Sequence, residues 1–217
     1  MKTFAVIGIG RFGSNLAKKL YDLGNEVLAI DDNEDRINHI SDYVTHAIVG
    51  DPQDEAVLRA VGIRNFDCAI VALSDDTQTS ILVTMLLKEM GVPYVVAKAT
   101  SDMHMRVLKK VGADKVVFPE KDMGMKLAQS LAVSNILDFI EISDDYSIIE
   151  VNTPKPWVGK SLTQLNIRAN FGVTVMVIKY CNSDVIDVSP NPDYVLTEND
   201  VLVIIGAHED ITNLTKL

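Results

Sequence analysis

Three glycines close the apolar run Phe4-Ala5-Val6-Ile7, in the order Gly8-Ile9-Gly10-Arg11-Phe12-Gly13. Glycines at this spacing, set between a strand and a helix, hold phosphate. Gly8 permits a tight turn, Gly10 carries no side chain to block a phosphate, and Gly13 lets the next segment pack closely. That segment, Ser14-Asn15-Leu16-Ala17-Lys18-Lys19-Leu20, reads as a helix. Its free N–H groups and positive dipole end then face the phosphates. Arg11 puts a full positive charge inside the loop, with Phe12 beside it. A guanidinium there favours a ligand with more phosphate charge than a dinucleotide pyrophosphate.

The next residue with chemistry is Asp31. It ends the apolar run Val27-Leu28-Ala29-Ile30 and lies eighteen residues past Gly13. Roughly 20 residues is the spacing at which an acid takes ribose hydroxyls. Asp32 and Asn33 follow it at the same strand end. Further strand ends fall at Asp51, Ala72, Lys98 and Glu120, and ligands of parallel sheets gather at such ends. Gly8, Asp31, Asp51, Ala72, Lys98 and Glu120 therefore form one candidate nucleotide site. Glu120 would repel phosphates unless a cation intervened, so an oxygen-ligated cation bridging phosphate and Glu120 is expected.

A sheet must position these residues. Apolar runs recur at Phe4–Ile7, 26–30, 45–49, 67–73, 94–98 and 115–118, and helical segments lie between them. Mostly continuous runs alternating with helices predict an α/β fold, a Rossmann-like doubly wound parallel sheet buried on both faces. This nucleotide-binding domain spans residues 1–121. Residues 122–142 read as one long crossover and dimerisation helix, with Met123, Leu127, Leu131 and Ile136 on an apolar face. Residues 143–217 read as a small α+β domain. In it strands are expected at 146–151, 173–179, 185–188 and 201–205, a turn at Asn182-Ser183-Asp184, and helices at 161–167 and 208–214.

Composition bounds the function. The chain has 217 residues, 47% of them hydrophobic, and a net charge of −10. That balance argues against a nucleic-acid partner. No apolar run approaches the roughly 20 residues of a membrane span, and the opening residues lack a secretory pattern. Cys68 and Cys181 stand far apart with no metal-ligand spacing, which suits a reducing cytoplasm. No catalytic constellation is visible. His39, His46, His104 and His208 are scattered, and each reads as a surface histidine. Against a non-catalytic nucleotide sensor stand two alternatives that the fold permits: an NAD(H)-binding redox sensor and a small NAD-dependent oxidoreductase.

The glycine fingerprint, the segment Gly62-Ile63-Arg64-Asn65-Phe66-Asp67 and the run Phe118-Pro119-Glu120-Lys121-Asp122-Met123-Gly124 together resemble the RCK (KTN) domain. The segments Asn166-Ile167-Arg168-Ala169 and Asp200-Val201-Leu202-Val203-Ile204-Ile205-Gly206 resemble the RCK C-terminal domain that follows it. The resemblance is to cytosolic regulatory subunits of bacterial Ktr potassium uptake. It implies a gating protein without enzymatic activity, switched by ATP and ADP, with a divalent or monovalent cation held at Glu120. It implies homodimers assembled into an octameric ring beneath a membrane-embedded potassium channel subunit of the KtrB/KtrD type. It further implies that cyclic di-AMP can bind between two C-terminal domains. Arg168 would then meet a phosphate, and Ile167, Ala169, Phe171 and Pro190 would border the base.

Overall fold

The computed structural model describes residues 1–74, 76–132, 136–143, 145–180 and 186–214. The expected turn at 182–184 and Cys181 lie outside them. The chain divides into two compact units, Met1–Lys121 and Asp122–Leu217.

The first unit alternates strand and helix. Its elements are β1 (Thr3–Ile7), α1 (Arg11–Asp22), β2 (Glu26–Asp31), α2 (Glu34–Ile40), β3 (His46–Val49), α3 (Glu55–Ala60), β4 (Cys68–Val71), α4 (Thr77–Glu89), β5 (Val95–Lys98), α5 (Asp102–Lys110) and β6 (Lys115–Val117). The strands form one parallel sheet in the order β3-β2-β1-β4-β5-β6. Its first three strands run one way from β1 and its last three the other, so a switch point lies between β1 and β4. Alternate residues of each strand enter opposite cores. Ala5, Ile7, Leu28, Ile30 and Val71 pack against Leu58, Val83, Leu87 and Leu108 of α3, α4 and α5. Val6, Val27, Ala29 and Ile70 pack against Ala17, Ile37 and Ile40 of α1 and α2. Burial on both faces is why the strands read as unbroken apolar runs.

The second unit begins in α6 (Pro119–Ala132). There follow β7 (Ile136–Glu141), β8 (Tyr146–Asn152), α7 (Leu162–Leu165), α8 (Ile167–Phe171), β9 (Thr174–Lys179), β10 (Ile186–Asp187), β11 (Val201–Ala207) and α9 (His208–Leu214). The sheet order is β10-β9-β11-β8-β7, antiparallel at every pair. Along β8 and β11 buried residues alternate with half-buried ones, the pattern of a sheet with one face on a core. Ile149, Trp157, Ile178, Leu202 and Ile204 form that core.

Two expectations are corrected here. The helix expected over 122–142 ends by Ala132, and Ile136–Glu141 is a strand. Met123, Leu127 and Leu131 do recur at helical spacing, but the period does not carry on to Ile136. The Ile-Leu-Asp-Phe-Ile segment is rich in β-branched and aromatic residues and pairs with β8 through a bulge between Ile136 and Asp138. That bulge spoils the alternation by which a strand is recognised in sequence. The second correction is His104, which is buried rather than on the surface. Its Nδ1 lies 3.3 Å from the Thr100 N–H, and burial holds the imidazole pKa below its usual range.

Candidate functional site

The glycine loop is built as its residue types demand. Gly8 has φ +93°, and a Cβ there would meet Leu73 at 2.8 Å. A Cβ on Gly13 would lie 1.9 Å from the Gly8 carbonyl oxygen, so α1 rests directly on the loop. At Gly10 a Cβ would meet nothing within 4 Å. No packing accounts for a glycine at that position; the space beside it is the cleft.

Helix α1 starts at Arg11 with Gly10 as its N-cap, without a side-chain cap and without an acid in its first turn. The other helices of this unit are capped by side chains: α2 by Asn33, α3 by Asp54, α4 by Asp76 and α5 by Ser101. The first N–H groups of α1 are thus left for an outside acceptor, where the dipole favours an anion.

Asp31 braces this loop from below. It is 3% exposed. One carboxylate oxygen accepts the Ile9 N–H at 2.6 Å and faces Arg36 Nη1 at 3.5 Å; the other accepts the Asn33 N–H at 2.9 Å. The ribose contact expected of Asp31 must therefore share a carboxylate already engaged by two N–H donors and a guanidinium. At the far side stands Lys98, 5% exposed at the end of β5. Its Nζ lies 2.7 Å from Glu120 Oε1 and 3.0 Å from Ser74 Oγ, and 5.5 Å from the centre of the Phe12 ring. The hydrogen bond from Lys98 holds the Glu120 carboxyl below its usual pKa, despite some desolvation, and Arg11 adds to the lowering.

These groups surround one cleft of about 1140 Å³ at the carboxyl ends of the strands. Gly8, Gly10, Arg11, Phe12, Asp31, Asp32, Asp51, Ala72, Lys98 and Glu120 all line it. Gly13 lies buried beneath the loop, and Asn33 caps α2 instead of facing the cleft. Sequence reasoning missed Arg36, Gln53, Ser74, Asp76 and Thr79, which also line it. Ser74 and Asp76 follow the end of β4, so the strand-end rule would have found them had it been carried past Ala72. Arg36 carries no local signal, because its place depends on α2 folding back toward Asp31. None of the described lining residues is a histidine. Among the described residues no cluster of three metal-ligating side chains occurs. A cation at Glu120 would thus need phosphate oxygens, water or a second chain to complete its shell.

In the second unit Ile167 is buried in the core, while Arg168 and Ala169 are exposed. Phe171 is half-buried against Trp157, with ring centres 5.0 Å apart. Asn166, in the left-handed conformation at φ 43°, joins α7 to α8. The loop holding Pro190 runs on through Pro192, whose carbonyl accepts the Thr163 N–H of α7 at 2.9 Å. Both segments expected to border a cyclic dinucleotide therefore adjoin α7.

Residues 4–119 match the TrkA-N domain and residues 146–217 the TrkA-C domain. Over 210 residues the chain is 45% identical to the Ktr system potassium uptake protein A of Bacillus subtilis, covering 97% of this chain and 94% of that protein. The chain belongs to the Ktr potassium-uptake family. It is also 42% identical over 215 residues to the Ktr system potassium uptake protein C of the same organism, covering 99% of this chain and 96% of the relative. Among solved structures, the RCK domain of GsuK matches with a TM-score of 0.69 at 22% identity, covering 100% of this chain and 47% of that one. That likeness shows the shared fold. The glycine loop, α1, Asp31 and Lys98 all fall within the TrkA-N match, and α7 and α8 within the TrkA-C match.

Proposed function

We propose that this Ktr-family chain is the cytosolic regulatory subunit of a potassium-uptake channel and binds ATP and ADP in its cleft in preference to NADH. The observation that carries the reading is the uncapped N-terminus of α1. It opens at Gly10 onto empty space, with Arg11 in its first turn and the ammonium of Lys98 across the cleft. A helix dipole and two cations suit a chain of phosphates better than a single pyrophosphate. Glu120 would help hold a divalent or monovalent cation, which would offset the charge of the ATP phosphates. No hydride transfer or steady hydrolysis is expected: among the described lining residues there is no histidine, and Asp31 and Lys98 are each engaged by protein partners. Among the described residues no helix is long and apolar enough to cross a membrane. The subunit acts instead through a membrane-embedded channel partner of the KtrB/KtrD type. Titration calorimetry tests the assignment: Arg11→Ala should weaken ATP at least about ten-fold, and ADP less, the scale of one charge-assisted hydrogen bond. Equal weakening of ATP, ADP and NADH would contradict it.

Residues 122–132 serve dimerisation in this reading. Met123, Leu127 and Leu131 of α6, at i, i+4 and i+8, are 64%, 55% and 75% exposed, an apolar stripe left open by the described residues. Beside α1, over β4 and β5, lies an apolar groove of about 410 Å³ lined by Phe12, Leu16, Leu20, Ile70 and Val96. A second copy supplies the cover, and such dimers build the ring of eight. Placing aspartate at both Leu127 and Leu131 should shift sedimentation velocity toward the monomer. An unchanged sedimentation coefficient would count against α6 as the interface.

Cyclic di-AMP is assigned to two copies of the TrkA-C domain, meeting at Arg168, Ala169 and the Pro190 loop. A two-fold ligand suits an interface where each copy presents the same cation. Arg168→Ala should abolish binding of cyclic di-AMP by the full chain and leave ATP binding unaltered. Retained binding by that variant would remove Arg168 from the site.

A further inference from the structure

Of the cations that line the cleft, Lys98 is the one already held by a carboxylate of the cleft's open side. Lys98 Nζ is held by Glu120 Oε1 at 2.7 Å and by Ser74 Oγ at 3.0 Å. The two ends of this ion pair are unlike. The Lys98 side chain is 6% exposed, whereas that of Glu120 is 63% exposed. Glu120 can leave for water at small cost, but Lys98 has no solvent to turn to and needs an anion beside it. Glu120 also stands in the first turn of α6, so its partner at Lys98 ties the start of that helix to the end of β5.

The sheet order says which part of a nucleotide reaches this pair. Asp31 ends β2, the glycine loop follows β1, and Lys98 ends β5. In the order β2-β1-β4-β5 the lysine lies on the side of the loop away from Asp31. At roughly 4.8 Å per strand, β5 stands about 10 Å beyond β1. A nucleotide with its ribose at Asp31 and its first phosphates over Gly10 therefore extends its last phosphate toward Lys98.

We infer that Lys98, beside Arg11, distinguishes ATP from ADP: the third phosphate takes the ammonium from Glu120 and releases that carboxylate into the cleft. The inference rests on the reading of the cleft as an adenine-nucleotide site. A terminal phosphate carries more negative charge than a carboxylate and brings more acceptor oxygens, so it wins the buried ammonium. The second ribose of NADH would arrive at the same place uncharged and leave the pair intact. Once displaced, Glu120 faces the phosphate with no cation of its own. Only then is it free to ligate a metal ion, so that cation dependence follows the third phosphate.

Calorimetric titration of the full chain with ATP and with ADP, both in EDTA, tests this. Glu120→Gln removes the competitor for Lys98, and the ATP-to-ADP affinity ratio should rise about five-fold, the scale of a half-exposed ion pair. A gain of affinity cannot come from a damaged fold. Lys98→Met keeps the buried stem and loses the ammonium; the ratio should fall at least about ten-fold. An unchanged ratio in Glu120→Gln, or equal weakening of ATP and ADP in Lys98→Met, overturns the inference while the nucleotide assignment stands. Failure of the unaltered chain to bind either nucleotide overturns both.

Discussion

Gly13→Ala should abolish ATP binding and lower the stability of the first unit by at least about 3 kcal/mol, the range of severe single substitutions. The added methyl would sit 1.9 Å from the Gly8 carbonyl oxygen, which is backbone and has no rotamer to adopt. Either α1 lifts from the loop or the loop itself shifts. Both moves break the contact that aims the α1 N-terminus into the cleft. Gly10→Ala is the matched control. Its methyl meets no protein atom within 4 Å, so stability should change by no more than about 1 kcal/mol, the scale of an N-cap exchange. ATP affinity should nonetheless fall on the order of 100-fold, as phosphate loses two or so charge-assisted contacts. Chemical denaturation and ATP titration on both variants check the pair. A stable Gly13→Ala protein with full affinity would contradict the packing account. Full ATP affinity in Gly10→Ala would show that no phosphate approaches there.

Asp31→Ala carries the second large effect. The carboxylate is buried and satisfies the N–H groups of Ile9 and Asn33, with Arg36 beside it. Removing it leaves buried donors without an acceptor, at about 2–4 kcal/mol. It also loosens the loop at Ile9, so ATP, ADP and NADH should all weaken by a similar factor. Asp31→Asn keeps one acceptor oxygen and should lose less stability than alanine does. Thermal melts and titrations of the two variants check this. Selective loss of one nucleotide, or alanine and asparagine melting alike, would mean that Asp31 acts otherwise than as a brace beneath a shared ribose site.

The sheet and the glycine loop were legible because their signals are local. Each strand of the first unit is a short apolar run bounded by Gly, Pro or Asp, and the phosphate loop is one continuous segment. The end of α6 was not legible. Its apolar stripe is real, but β7 exists through pairing with β8, a partner the sequence does not display. His104 was misread for a different reason. A histidine reads as polar by type, yet Leu108, one turn on along α5, is buried on the same face, and that i, i+4 pairing was the signal overlooked. At the site, Lys98 and Glu120 could each be placed at a strand end, yet nothing local says that they pair with one another. The role of Asp31 was half legible: its spacing pointed to ribose, while its service to the Ile9 and Asn33 N–H groups appears only in three dimensions.

The central claim is that the cleft is built for a chain of phosphates, with two cations and a free helix N-terminus along its path. Parallel calorimetric titrations of the full chain with ATP, ADP and NADH, in magnesium and in EDTA, test it most directly. The account predicts ATP bound more tightly than NADH in magnesium, and an advantage of ATP over ADP that shrinks when the cation is withdrawn. NADH bound more tightly than ATP in the presence of magnesium would contradict it.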